Sequence, residues 1–317
     1  MPNSSPIGIF DSGIGGLTLA HAITELMPNE PIIYFGDTAH LPYGDKSATA
    51  IQAYSVKICN LLLEKNCKLI LIACNSASAA AYDLVKAYVG TKAIVVNVID
   101  PVIQFLDQHW SGKTLGLIGT KQTVNSGIYS QKAEALRKDI HIKSLATPLL
   151  APMIEEGFFN HTISEQIIKE YLLQPVLQNI DGLILGCTHY PLIKKQIDQF
   201  YQDRVDVIDT SLIVANEIKR ILIEEDLLND PKGPTAHGNV AEEEEVEASE
   251  EEEIDIENMD ESDLKSFIES VIADMVSAGE LEGGEGMEGE EEEGEEEVEP
   301  ETLTPQIPIL LDLLDEF

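Results

Sequence analysis

One short pattern occurs twice in this chain and constrains it more than any other feature. Leu69-Ile-Leu-Ile-Ala-Cys-Asn-Ser-Ala-Ser78 is an apolar run of strand type that ends in a cysteine and passes into small polar residues where a helix should begin. Gly182-Leu-Ile-Leu-Gly-Cys-Thr-His-Tyr-Pro191 repeats the pattern, with Cys187 lying 113 residues after Cys74. Short continuous apolar runs mark strands buried on both faces, as in a parallel sheet covered by helices. Ligands in such sheets bind beyond the carboxyl ends of the strands, where both cysteines would stand.

The rest of the chain repeats the plan around each cysteine. Strands are expected over 7–10, 31–36, 69–74 and 93–98, then over 114–119, 140–145, 182–187 and 205–208. Helical periodicity separates them, running to about Met27 and over 46–65, 76–89, 121–138, roughly 162–178 and 211–227. On the second of these helices Ile51, Tyr54, Ile58, Leu61 and Leu62 share a stripe. Asp11 precedes Cys74 by 63 residues and Thr120 precedes Cys187 by 67, so the halves are similarly spaced. The expected fold is two similar doubly wound α/β domains with largely parallel sheets, related by pseudo-two-fold symmetry, with the active site in the cleft between them. The first domain would take 1–98 with about 208–230, the second 99–207. Asp100-Pro101 is the expected crossing point, because a residue before proline resists helix.

Charge separates this core from the C-terminal tail. The net charge is −37, yet 32 acidic residues against two lysines lie from Pro231 onward. The preceding 230 residues hold 25 acids and 18 bases, and no basic cluster that would serve phosphate contacts to nucleic acid. Runs such as Glu242–Glu245, with glycines between them, are expected to leave 231–317 mostly disordered. Two apolar islands, 262–277 and 308–317, could form short helices, and the tail could bind a partner or cover the core. No signal pattern and no membrane-length apolar run are present, so a soluble cytoplasmic protein is expected. Cys59 and Cys67 read as buried structural thiols, and none of the four cysteines shows CxxC spacing.

For Cys74 and Cys187 the chemical reading is stronger. A thiol at a helix N-terminus is expected to titrate below its usual value of about 8.5. Asn75, Ser76 and Thr188 offer donors to a carboxylate, and His189 stands within reach of Cys187. The glycine-rich turn Asp11-Ser-Gly-Ile-Gly-Gly16 lacks both the dinucleotide and the Walker spacing. It is expected to allow close helix packing, with its N–H groups and Ser12 free to hold a small anion. A zinc site lacks a second ligand pair, and a cysteine hydrolase leaves the second thiol unexplained. Two thiols across a cleft suit proton removal from one face of a carbon acid and return to the other, which is racemisation.

Phe10-Asp-Ser-Gly-Ile-Gly-Gly, Tyr34-Phe-Gly-Asp with Pro42-Tyr-Gly44, Ala73-Cys-Asn-Ser-Ala, Gly119-Thr-Lys-Gln-Thr-Val and Gly186-Cys-Thr-His-Tyr-Pro-Leu192 together resemble the glutamate racemases of the aspartate/glutamate racemase family. The likeness runs from residue 7 to about 226. It implies a two-base interconversion of L- and D-glutamate without cofactor or metal, feeding peptidoglycan synthesis, with glutamate as the small-molecule partner and a homodimer as the assembly. Cys74 and Cys187 would be the acid/base pair, assisted by Asp11 and His189. Asp11, Ser12, Pro42, Tyr43, Gly44, Asn75, Ser76, Thr188 and His189 would hold the substrate, with Glu155 near its ammonium. The family usually has Thr where Ser76 stands, and its usual C-terminal segment is not recognisable here. A racemase for aspartate or another small amino acid is the alternative enzyme, and a silent core carrying an acidic interaction tail is the alternative of another class.

Overall fold

The computed structural model describes residues 2–229 apart from Asp203, so the expected tail helices lie outside the described residues. The chain opens with β1 (Ile7–Asp11), α1 (Leu17–Leu26), β2 (Ile32–Gly36), α2 (Ala48–Glu64), β3 (Leu69–Ile72), α3 (Asn75–Val89) and β4 (Ile94–Asn97). All four strands are parallel, in the order β2-β1-β3-β4. Next come α4 (Ile99–His109), β5 (Thr114–Gly119), α5 (Lys121–Asn125), α6 (Ile128–Ala135), β6 (His141–Ala146), α7 (Leu150–Glu155) and α8 (Thr162–Leu172). β7 (Gly182–Gly186), α9 (Lys194–Tyr201), β8 (Asp206–Ile208) and α10 (Thr210–Glu224) complete the described chain. The second sheet is again wholly parallel and repeats the order as β6-β5-β7-β8. Position by position, β5 matches β1 and β7 matches β3, so the duplication seen around the cysteines extends to the topology.

The inner strands are apolar at nearly every position because helices cover both of their faces. Leu69, Ile70, Leu71 and Ile72 are fully buried, as are Leu183, Ile184 and Leu185. Each such side chain contributes about 1.5–3 kcal/mol on burial. On α2, Ile51, Ile58 and Leu62 face the core, while Leu61 stays exposed. Helix α10 packs on α1 and α4 through a core that includes Val214, Ile218 and Leu222 and residues of both sheets.

Three expected elements are drawn differently. The helix over 121–138 is broken between α5 and α6 at Gly127, whose φ of 66° is left-handed and disfavoured for any residue with a Cβ. The helix over roughly 162–178 stops at Leu172, and Pro175 starts a separate 3-10 turn because it has no N–H to continue the ladder. At Asp100-Pro101 the chain does not cross in a loop: α4 runs through it. Pro101 falls in the first helical turn, where the missing N–H would have no partner anyway. The Asn97 side chain accepts from the N–H groups of Ile99 and Asp100, both at 2.8 Å, and so caps that helix.

Candidate active site

The strand register delivers the key residues. β1 runs beside β3 with Phe10 opposite Ile72, so Asp11 ends its strand next to the turn that carries Cys74. β5 runs beside β7 with Gly119 opposite Gly186, so Thr120 stands next to Cys187 in the same way. Each of these leading residues then bonds the other unit. Thr188 donates its hydroxyl to Asp11 Oδ2 at 3.1 Å, and the hydroxyls of Ser76 and Thr120 meet at 2.8 Å. Thr18 adds a third link, donating to the carbonyl of Thr188 at 2.9 Å.

Cys74 is the N-cap of α3, whereas Cys187 is followed by a turn and a 3-10 segment, Tyr190–Ile193, ahead of α9. Both cysteines are only 6% exposed. The Cys74 thiol donates to the Ser12 hydroxyl at 3.7 Å. Its titration runs opposite to the sequence expectation, being pushed up to about 12 by burial, then by the charge of Asp11 and, more weakly, of Cys187. The N–H of Ala77 and the Ser12 hydroxyl pull it down, but a helix terminus does not outweigh loss of water around a thiolate. Asp11 is itself completely buried and its carboxyl raised for the same reason, with the charge of His189 opposing.

Cys187 has a different companion. Its sulfur lies 3.5 Å from His189 Nδ1, and the far ring nitrogen, Nε2, pairs with Glu155 Oε2. Burial works against the imidazolium, but the hydrogen bond to Cys187, that group's charge, Glu155 and Asp11 together push His189 up to about 11. Glu155 is held below its usual range, chiefly by the hydrogen bond from His189, and its Oε1 also accepts from the N–H of Ile14 at 3.2 Å.

The glycine turn is already engaged rather than open for an anion. The N–H of Gly13 donates to Asp11 Oδ1 at 3.0 Å, that of Ile14 is taken by Glu155, and Tyr34 donates to the carbonyl of Gly13 at 2.7 Å. Its glycines do allow close packing: a Cβ on Gly15 would lie 2.5 Å from His189, and one on Gly13 2.6 Å from Glu155. Among the other expected residues, Pro42 lines a recess of about 110 Å³ together with Ser12, Glu155 and His189. Tyr43 is buried with its hydroxyl on Asp37, and Gly44 packs against Thr120. Asn75 is buried, and its Oδ1 accepts from Tyr129 of α6 at 2.8 Å.

Thr120 and Tyr129 belong to this cluster but were not among the sequence candidates. Thr120 was legible through the duplication, since it stands after β5 where Asp11 stands at the end of β1. Tyr129 gave no such signal, because its place depends on the break at Gly127.

Two α/β units of one strand order, each carrying a thiol past its second inner strand into a shared acid/base cluster, define the class as a racemase-type isomerase. Comparison with known proteins agrees: residues 17–218 match the Asp/Glu/Hydantoin racemase family. A curated relative, the glutamate racemase of Chlorobaculum parvum, is 37% identical over 235 residues, 74% of this chain and 86% of its own length. The crystal structure of glutamate racemase from Francisella tularensis in complex with D-glutamate is 40% identical. It superposes with a TM-score of 0.67 over 73% of this chain and 85% of that one. An aspartate racemase homologue from Pyrococcus horikoshii, 21% identical with a TM-score of 0.51 over 68% of this chain and 98% of its own, shares the fold. The chain belongs to the Asp/Glu/Hydantoin racemase family and is an amino-acid racemase. No helix among the described residues is long and apolar enough to cross a membrane.

Proposed function

We propose that the protein interconverts L- and D-glutamate by a two-thiol acid/base mechanism that needs no cofactor, and that the product serves peptidoglycan synthesis. The observation that carries the reading is the pair of buried cysteines at equivalent points of a duplicated fold, each with its own proton-handling partners. The relatives support glutamate, at 37% and 40% identity to glutamate racemases.

The chemistry follows from the two microenvironments. With His189 protonated beside it, Cys187 acts as a base on one face of the α-carbon, its thiolate matched by the imidazolium and Glu155. Cys74, kept as a thiol by burial and by Asp11, returns a proton to the opposite face. In the reverse direction Cys74, its proton passed to Asp11, is the base, and Cys187, reprotonated by His189, returns a proton to the other face. The weak acidity of an amino-acid α-proton means that thiolate strength alone cannot drive the step. Donors at Ser12, Asn75 and Ser76, and the backbone at Tyr43, Gly44 and Thr188, would stabilise charge developing on the substrate carboxylate. Terms of this type amount to about 3–4 kcal/mol per donor. Thiols this deeply buried also exclude water from the intermediate. Admission of substrate then requires the units, taken as 1–98 with 208–230 and 99–207, to part and close again.

Incubation with L-glutamate, and separately with L-aspartate, in heavy water tests this directly. Loss of optical rotation with α-deuterium incorporation for glutamate alone is expected. Activity on aspartate alone would transfer the reading to that substrate, and none on either would leave a silent core.

A further inference from the structure

Tyr129 is held where a core aromatic residue would ordinarily need no special account. Its ring packs in the apolar core and the residue is 1% exposed. Its hydroxyl, however, is carried to the first residue of α3, where it donates to Asn75 Oδ1 at 2.8 Å. Asn75 is next to Cys74 in sequence and is 4% exposed. The contact crosses between units: Asn75 follows β3 of the first sheet, and Tyr129 lies on the connection between β5 and β6 of the second. It exists because Gly127 adopts its left-handed φ of 66° and ends α5, which lets α6 start on a new axis with Tyr129 at its second position.

A primary amide has an acceptor oxygen on one side and two N–H donors on the other. Left alone, Asn75 could present either side to the cleft. A phenol kept protonated by burial can donate, so it captures the oxygen and turns the N–H donors the opposite way. Amide N–H donors at the first residue of α3, beside the Cys74 thiol, are suited to a ligand acceptor such as a carboxylate oxygen.

We propose that Tyr129 is a positioning residue that fixes the Asn75 carboxamide with its N–H donors toward the substrate carboxylate. Because phenol and amide come from opposite units, Asn75 is correctly turned only when the units are closed. Closure and substrate binding are thereby linked. The proposal rests on the reading that Asn75 binds substrate in a glutamate racemase.

The test is a double-mutant cycle on the full chain, with Tyr129→Phe and Asn75→Ala, using racemisation kinetics with L-glutamate. Glutamate titration calorimetry serves for any variant too slow to assay. Tyr129→Phe keeps the ring and its packing. It is expected to raise KM by about tenfold, the scale of one lost hydrogen bond to a buried polar group, with kcat within about threefold of wild type. In the Asn75→Ala background the same change is expected to alter KM, or the dissociation constant, by less than about twofold. An unchanged KM in Tyr129→Phe, or an equal effect with and without Asn75, would overturn the proposal, whatever happens to thermal stability. Wild-type protein inactive toward glutamate would remove the functional reading and this one with it. An active wild type with a wild-type-like Tyr129→Phe would remove this one alone.

Discussion

Burial and the Asp11 charge hold Cys74 as a thiol, with a pKa near 12, while the Cys187 sulfur lies 3.5 Å from a histidine raised to about 11. The two thiols therefore have different proton-handling partners although the fold around them is duplicated. Replacing either cysteine by serine should cut racemisation by about 10²–10⁴-fold, the usual contribution of a positioned acid or base, and a coupled D-glutamate assay reads this. Removing the Glu155 charge should lower the His189 pKa, because the imidazolium loses its negative partner. Glu155→Gln is thus expected to move the alkaline limb of the kcat/KM profile to lower pH. The same histidine makes stability depend on pH. Its proton is held more tightly in the folded state, about 11 against an ordinary 6.5. That contribution is complete below pH 6.5 and is lost as pH rises toward 11, so thermal unfolding should show a decline over that window that is weaker in His189→Gln. The residue types of the cluster were legible in the sequence, but the direction of the Cys74 shift was not. Helix position can be read from sequence, whereas complete burial of Asp11 beside the thiol is a property of the folded pair.

At the scale of elements, the turn after β1 and the break between α5 and α6 decide where side chains point. Gly15 lies so close to the second unit that a Cβ there would sit 2.5 Å from the His189 ring and 2.7 Å from the Thr188 hydroxyl. Gly15→Ala should lower kcat far more than it lowers Tm, because the ring it displaces is the partner of Cys187. Steady-state kinetics beside a thermal melt separates the two effects. At Gly127 the effect should be mainly on stability, with alanine costing about 1–2 kcal/mol for its left-handed backbone, measurable by urea titration. Buried strands announce themselves as apolar runs, and all eight expected strands are present. The helices after β5 and β6 were harder to read. Their amphipathic pattern continues across Gly127 and Pro175, so periodicity alone joins what backbone geometry separates. Helix α4 was missed because Pro101 reads as a stop unless one knows that it falls in the first turn.

For the molecule as a whole, a buried clamp holds the two ends of the described chain together. The Lys68 ammonium donates to Glu30 Oε2 at 2.6 Å and to the carbonyls of Asn3 at 2.5 Å and Leu227 at 2.9 Å, using all three of its protons. Glu30 Oε1 accepts from the N–H of Asn229 at 2.7 Å. Lys68→Met would strand a buried carboxylate and should destabilise the protein by about 3–5 kcal/mol in chemical denaturation, with kcat/KM of the folded protein nearly unchanged. Nothing in the sequence marked Lys68 or Glu30, since a lone lysine before a strand usually faces water. The duplication was the legible part. It points to two matched thiols, and the strand orders β2-β1-β3-β4 and β6-β5-β7-β8 extend it to the whole fold. The most direct test of two bases on opposite faces is the position of the first deuterium. In heavy water, with L-glutamate sampled before a few per cent of turnover, label should appear at the α-carbon of D-glutamate while recovered L-glutamate stays unlabelled. Label entering recovered L-glutamate as fast as it enters the product would mean that one base serves both faces, and would contradict the two-thiol mechanism.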